Sequence, residues 1–495
     1  MANLAYGFSL LFSGSNFLIL LIGVVVGYFL GIVPGISAAV SLALLIPFTF
    51  GMDPVSAMIL LTTIYTAINF GGGIPAILLN TPGTPSAAAT VLDGYPMAQQ
   101  GKAKKALGIT MFASGIGGFF SVIMMIAFSM PLALFALRFG PPEYFILGIM
   151  GLSVVAGLSA DNLAKGLILA SLGLFLTTVG MDPIGGGFRY VMSFHLLEGI
   201  PFVPALIGLF AISEIFTMME EASASQKPME KIDGEGVTIQ EFKRCRRAIG
   251  LGSIIGFIVG LIPAAGPNIA AWMSYNEAKR GSKNPEDFGK GEIAGVAAPE
   301  TSNNAAAAGG LVPTLALGIP GSPPLAVLIG ALTLHGITAG PLLFERNPEV
   351  PYSIFATMLV ATPLMMILGL VCIKYFALVT LIPKTVLAPI ILGVCTVGSF
   401  AVSGTMFGVW AAYIFGVVGY IFKRFGFPLP PMVLALVLGR MIETNFRRSM
   451  LMSGGELSIF FTRPITVVIM ALTVLMFVYP IIKSQVKKRK AAAAK

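Results

Sequence analysis

Charge is what this sequence most lacks. Only 11% of its 495 residues are Asp, Glu, Lys or Arg, while 56% are hydrophobic. A soluble domain carries about 25% charged residues to cover its surface. With less than half of that, and a mean hydropathy of +0.89, this chain takes a lipid bilayer as its solvent. No Lys or Arg occurs before Lys102, so no basic n-region precedes the first apolar run. Phe17–Val33 is therefore expected to be a retained span and not a cleaved signal. Cysteine is scarce, and Cys245, Cys372 and Cys395 have neither disulfide nor metal spacing. Gly71-Gly72-Gly73 lacks the strand-to-helix setting and the Lys–Ser/Thr order of a phosphate loop, which excludes an ATP-driven pump within this chain. The net charge of +9 is no nucleic-acid signature, because the basic residues fall in short clusters between apolar runs, as cytoplasmic loops do.

What the chain has is a succession of apolar runs, with proline and glycine placed inside them. At roughly 20 apolar residues per span, about ten to fourteen membrane segments are expected. Two tracts interrupt the runs: Asn80-Thr81-Pro82-Gly83-Thr84-Pro85-Ser86 and Gly318-Ile319-Pro320-Gly321-Ser322-Pro323. Proline removes a backbone donor and clashes with the preceding turn, and glycine permits angles that other residues avoid. Neither tract continues as a spanning helix. In lipid such irregular backbone is tolerated only where protein or a water-filled cavity surrounds it.

The two tracts hold one register. Pro320 lies 238 positions after Pro82, as Pro313 lies 238 after Pro75. Gly31-Ile32-Val33-Pro34 is answered by Gly260-Leu261-Ile262-Pro263, and fixed spacing of this kind marks internal repetition. Charge argues the orientation of the halves. The first half begins without basic residues, whereas Lys243-Arg244-Cys245-Arg246-Arg247 precedes the second; Lys102–Lys105 follows the first broken tract, while after the second the loop up to Pro351 offers only Arg346. By the positive-inside rule, the halves are expected to insert in opposite directions. The expected organisation is an all-α polytopic membrane protein of two inverted-topology repeats, each with a broken or re-entrant helical segment. The repeats are 1–219 and 248–484, joined by a cytoplasmic linker at 220–247 and followed by a basic cytoplasmic tail at 485–495. The N-terminus is then outside and the C-terminus inside.

The motifs Asn80-Thr81-Pro82-Gly83, Leu92-Asp93-Gly94-Tyr95-Pro96-Met97-Ala98, Ala298-Pro299-Glu300-Thr301-Ser302-Asn303-Asn304-Ala305 and Gly318-Ile319-Pro320-Gly321-Ser322 resemble those of the large membrane subunit of the tripartite tricarboxylate transporters, the TctA family. The likeness runs from about Phe17 to Phe461, with departures at Pro263-Ala264, where the family usually has Pro-Gly, and at Pro323-Pro324. It implies a bacterial inner-membrane carrier that works with a small membrane subunit and a periplasmic solute-binding protein. It also implies ion-driven uptake of citrate or related carboxylates, with no cofactor beyond the coupling ion, sodium or proton.

Almost no basic residue lies at membrane depth to meet an anion. Helix N-termini supply unpaired donors and partial positive charge, so helices resuming after Pro82-Gly83 and Pro320-Gly321 are expected to aim their first N–H groups at the substrate. The expected binding set is Asn80, Thr81, Pro82, Gly83, Thr84, Ser86, Gly318, Pro320, Gly321, Ser322, Asn303 and Asn304. The hydroxyls either cap the resumed helices or meet the ligand, and one oxygen can serve both. Asn303 and Asn304 either pair across helices or contact substrate or sodium. Asn69, Glu300, Thr301 and Ser302 are candidates for ion coupling, Glu300 as a proton site or a loop anchor. Asp93 is either functional or interfacial, and His335 fits an interfacial residue. Three rivals remain: a channel using the same broken helices as a filter, an intramembrane enzyme, and a scaffold subunit. The enzyme requires a nucleophile–base pair or a metal set, and the sequence presents neither.

Overall fold

The computed structural model describes residues 2–158, 163–221, 235–263, 265–379, 382 and 384–476. Residues 222–234 of the expected linker, the tail at 485–495 and Ala264 lie outside the described residues. The first half runs α1 (Ala2–Leu11), α2 (Asn16–Ile32), α3 (Ala38–Thr49), α4 (Pro54–Gly71), α5 (Gly73–Leu79), α6 (Ala88–Met97), α7 (Ala103–Ala136), α8 (Pro141–Leu158), α9 (Leu163–Thr177), α10 (Phe202–Leu206) and α11 (Ser213–Glu221). A two-residue hairpin pairs β1 (Gly180–Met181) with β2 (Phe188–Arg189) between α9 and α10. The second half runs α12 (Ile239–Leu261), α13 (Gly266–Arg280), α14 (Ile293–Leu317), α15 (Pro323–Leu334), α16 (Leu343–Arg346), α17 (Glu349–Val379), α18 (Lys384–Ser403), α19 (Met406–Arg424), α20 (Pro430–Met452) and α21 (Ile459–Thr462).

Local chemistry sets the helix boundaries. Asp53 caps α4 by accepting from the Ser56 N–H at 3.0 Å, and Pro54 takes the first helical position, where a missing donor costs nothing. Thr238 and Glu241 form a reciprocal capping box at the start of α12. At the two interrupted tracts the chain makes the same turn. Asn80 ends α5 in the left-handed region at φ 56°, and Gly318 ends α14 there at φ 72°. Thr81 N–H then returns to the Pro75 carbonyl at 3.4 Å, and Ile319 N–H to the Pro313 carbonyl at 3.3 Å. Each closes a seven-residue loop that satisfies a carbonyl orphaned at the helix end.

Close backbone approach organises the centre. On α2, Gly23, Gly27 and Gly31 lie against Thr63, Ile64 and Ile68 of α4; on α12, Gly252, Gly256 and Gly260 lie against Thr301, Ser302 and Gly309 of α14. Small residues at four-residue spacing let membrane helices touch along their backbones. α2 ends and α3 begins on either side of Val33–Ser37, and Gly31 just before this break packs on Ile68 of α4. α4 and α14 meet in the middle. The Tyr65 hydroxyl donates to the Ala307 carbonyl at 3.4 Å, and Asn303 Nδ2 donates to the Asn69 carbonyl at 3.4 Å. Four residues forward on α4 is four residues back on α14, so these helices run antiparallel.

Burial separates centre from rim. α14 is buried along its length, as is the window of α4–α5, whereas α18 and α19 expose Val397, Trp410 and Ile414 to their surroundings. Among the described residues, six helices are long and apolar enough to cross a membrane, or seven if the α1–α2 pair, bent by 76°, counts as one span; four more are apolar but shorter. That is fewer than the ten to fourteen expected from hydropathy. The apolar runs are real, but several belong to short helices that turn inside the bundle, and α14 carries Glu300-Thr301-Ser302-Asn303-Asn304 on a helix covered by protein.

Candidate functional site

The two tips flank α13. The 3-10 turn Pro85–Ala87 packs on that helix, Ala89 clusters with Ala271, and Ser322 lies beside Gly266 at its start. The structure therefore brings both interrupted tracts to one helix, next to the α4–α14 crossing.

At the first tip Asn80 is exposed, while Thr81 and Pro82 are half-buried. Thr81 Oγ1 donates to the Leu79 carbonyl at 3.2 Å, and Gly83 N–H donates to the Gly72 carbonyl at 3.1 Å. The buried hydroxyls of Thr84 and Ser86 pair with each other at 3.0 Å. At the second tip Gly321 N–H donates to Thr314 Oγ1 at 3.2 Å, and Pro320 and Gly321 are buried. Ser322 Oγ is buried and accepts no helix N–H; no hydrogen bond of good geometry reaches it, although the Tyr65 phenol is at its side.

Two expectations change here. Neither Thr84 nor Ser322 caps the following helix with its side chain, though both stand at the N-cap position. The resumed helices are also poor in the donors expected of them. Pro323 and Pro324 occupy the first two positions of α15, and Pro85 opens the 3-10 turn before α6, so N–H groups that would face an anion are missing.

The polar run of α14 divides in two. Thr301 Oγ1 donates to the Ala297 carbonyl at 2.7 Å, and Ser302 Oγ to the Ala270 carbonyl at 3.0 Å, so both are satisfied within the protein. Asn303 and Asn304 spend their amide N–H groups on the carbonyls of Asn69 and Glu300, leaving both buried Oδ1 atoms without a partner. Buried polar atoms are nearly always paired, so the oxygens of Ser322, Asn303 and Asn304, without partners among the described residues, stand out in this part of the bundle. Asn69 turns its own amide back to the Tyr65 carbonyl at 2.7 Å and meets Asn303 only through its backbone.

Two acidic residues are completely buried in this part of the bundle, in opposite circumstances. Asp93 Oδ1 accepts from the N–H groups of Gly289, Gly291 and Glu292 at 2.8, 2.9 and 2.8 Å, and Oδ2 from the Tyr275 hydroxyl at 2.9 Å. It is a clamp between α6 and the entry to α14. Glu300 has only the hydroxyls of Thr90 and Ser114, at 2.6 and 3.2 Å, and among the described residues no cation reaches it. Gly73 leaves room for its carboxyl, since a Cβ there would sit 2.7 Å from Oε1. His335, half-buried, meets Thr49 Oγ1 at 3.3 Å.

Sequence reasoning missed Tyr65, Thr90 and Ser114. The signal for Tyr65 was present, because Asn303 is its partner at 238 positions. Thr90 and Ser114 are ordinary hydroxyls on apolar helices, and nothing in the sequence distinguishes them.

Interrupted helices set inside a bundle of long apolar helices, with buried polar oxygens of Ser322, Asn303 and Asn304 unpaired among the described residues, fit a multi-pass membrane protein of the transport class. The chain matches the Tripartite tricarboxylate transporter TctA family over residues 17–434. It belongs to that family, and so is a membrane subunit of tricarboxylate transporter kind and not one of an enzyme family. It is 35% identical over 490 residues to an uncharacterized 52.8 kDa protein of the TAR-I ttuC' 3' region in Agrobacterium vitis, covering 99% of this chain and 98% of that one. A second protein of that organism, from the TAR-II ttuC' 3' region, is 36% identical over 234 residues, 47% of this chain and 97% of its own. No solved structure matches the chain at a significant level.

Proposed function

We propose that this chain is the carrier subunit of a secondary transporter that imports tricarboxylates or related carboxylates across the bacterial inner membrane. A periplasmic solute-binding protein delivers the substrate, and a small membrane subunit completes the assembly. The observation that carries this reading is the set of buried, unpartnered oxygens on Ser322, Asn303 and Asn304 beside two broken helices.

The halves are inverted repeats in this account. In support, the contacts Tyr65–Ala307 and Asn69–Asn303 exchange with one another under a shift of 238 residues, as a local two-fold axis between antiparallel helices requires. With basic clusters inside, the N-terminus is periplasmic and the C-terminus cytoplasmic.

The orphaned atoms divide by chemistry. Amide oxygens accept and do not donate, so Asn303 and Asn304 suit a sodium ion; the hydroxyls of Ser322 and Thr84 donate, and suit a carboxylate. Glu300, buried with hydroxyls alone, is the place for a coupled proton. Sodium and pH gradients imposed separately on proteoliposomes holding all three components decide between the ions. Saturable uptake with counterflow is expected. Current without counterflow would establish the channel instead, and unaltered kinetics in both Ser322→Val and Thr84→Val would remove the proposed site.

A further inference from the structure

A sizeable cavity lies away from the tips. It has a volume of about 670 Å³ and is bounded by the 194–205 segment, the end of α15, the turn between α18 and α19, and the middle of α20. Arg440 of α20 is exposed in its wall. Arg440 lies ten residues into α20, directly after the buried Leu438 and Gly439. The neighbouring cations are already engaged. Arg189 pairs with Glu443 at 2.5 Å and Arg447 with Asp182 at 2.5 Å. The Arg447 guanidinium and the N–H groups of Ile184 and Gly185 hold the Asp182 carboxyl far below the usual range. Arg440 donates one N–H to the Glu198 carbonyl at 3.1 Å, and among the described residues no carboxylate forms an ion pair with it. The rest of its fork is free for a planar anion.

Other parts of the wall suit a polar guest of moderate size. Hydroxyls of Thr333 and Thr405 line the cavity, and His195 lies flat on Phe407, with ring centres 5.1 Å apart. The floor is formed by Ile329, Gly330 and Thr333 of α15, the helix that begins just after Ser322. At 1.5 Å per residue, Ile329 is about 10 Å along the helix from Ser322.

We propose that this cavity is an entry vestibule in which Arg440 docks a carboxylate of the substrate before it reaches the Ser322 tip. The proposal rests on the transport reading above and adds a second anion site to it. Arg440 forms a bidentate, charge-assisted pair with one carboxylate, and the Glu198 carbonyl holds the guanidinium in position. Glu198 itself lines the cavity, and its negative charge there opposes the anion. The two residues therefore act in opposite directions on one binding step.

The test uses the full chain with its partner subunits in proteoliposomes and citrate as the probe. Arg440→Gln is expected to raise the KM for uptake about tenfold, the size of one lost charge-assisted contact. Arg440→Lys should recover part of that, and Glu198→Gln should lower KM below the wild-type value. A second readout is independent of turnover. With Cys245, Cys372 and Cys395 replaced by Ser, Thr333→Cys should react with a membrane-impermeant thiol reagent, and citrate should protect it only while Arg440 is present. Normal citrate uptake with no protection at position 333, or with unchanged KM in both Arg440→Gln and Glu198→Gln, overturns the vestibule alone. Wild-type vesicles that take up no citrate count against the transport reading, and Arg440-dependent protection would still uphold the vestibule.

Discussion

The two tips have the same backbone and different polar surroundings. Asn80 and Gly318 turn the chain alike, and the next N–H closes the same loop in each. At the first tip Thr84 and Ser86 satisfy each other; at the second Ser322 stands alone beside Tyr65. Shape has been kept in both halves, and readiness for a ligand differs between them. Backbone chemistry fixes where the helices break, while single side chains decide which polar atoms are left unpaired there.

The largest effect should come from the backbone contacts that both tips need. A Cβ at Gly83 would collide with the Gly31 carbonyl oxygen, whereas at Gly321 it would come 2.7 Å from the Gly310 Cα. Gly83→Ala is expected to lower stability by about 3 kcal/mol and Gly321→Ala by somewhat less, within the usual range for overpacking. Thermal unfolding in detergent measures both, and an unshifted midpoint in either would show that its tip is looser than its contacts imply.

The next comparison separates stability from uptake. Ser322→Val removes an unpartnered hydroxyl, so it should leave the melting midpoint nearly unchanged and cut uptake about tenfold. Thr84→Val breaks a satisfied pair, and should lower stability by about 1 kcal/mol with a smaller effect on transport. The reverse pattern would make the first tip the principal binding site.

Turn chemistry gives a smaller contrast. Asn80→Gly should be close to neutral, because both residues accept a left-handed conformation. Gly318→Ala should cost about 1 kcal/mol or more, since it places a Cβ at φ 72° and 2.6 Å from the Ala339 carbonyl oxygen. Equal stability of the two variants in chemical unfolding would contradict the turn assignment.

The smallest effect belongs to the surface tie between the halves. Lys105 and Glu241 meet at 2.6 Å. Partial burial pushes the Glu241 carboxyl up, but Lys105 and the donors of Thr238 prevail and hold it at about 2, below its ordinary value of 4.5. A lowered carboxylate stabilises the fold above its unfolded value, and that contribution is lost as pH falls from 4.5 towards 2. Because the pair is part-exposed, the loss should be only about 0.2–1 kcal/mol, and Lys105→Gln should abolish this step in the acid unfolding profile.

Several features were legible in the chain itself. Proline and glycine in fixed register located both helix breaks, because no side-chain contact can restore the donors that proline lacks. The uncharged apolar runs required lipid, and the density of small residues in α2 and α12 required close helix packing. Asp93 was not legible. Its sequence neighbours Gly94-Tyr95-Pro96 suggested an interface, and only the fold carries the Gly289–Glu292 backbone to its carboxylate. The N–H donors expected after each break were also misjudged, since Pro85 and Pro323-Pro324 lie in the positions that should supply them.

By itself the sequence determined the solvent, the helical class and the places where helices stop, since all three follow from composition and from backbone chemistry local to a few residues. Tertiary structure alone decided which polar atoms go unsatisfied. The amides of Asn303 and Asn304 differ from the hydroxyls of Thr301 and Ser302 only in what other helices bring within hydrogen-bond reach, and that is a property of packing across hundreds of residues.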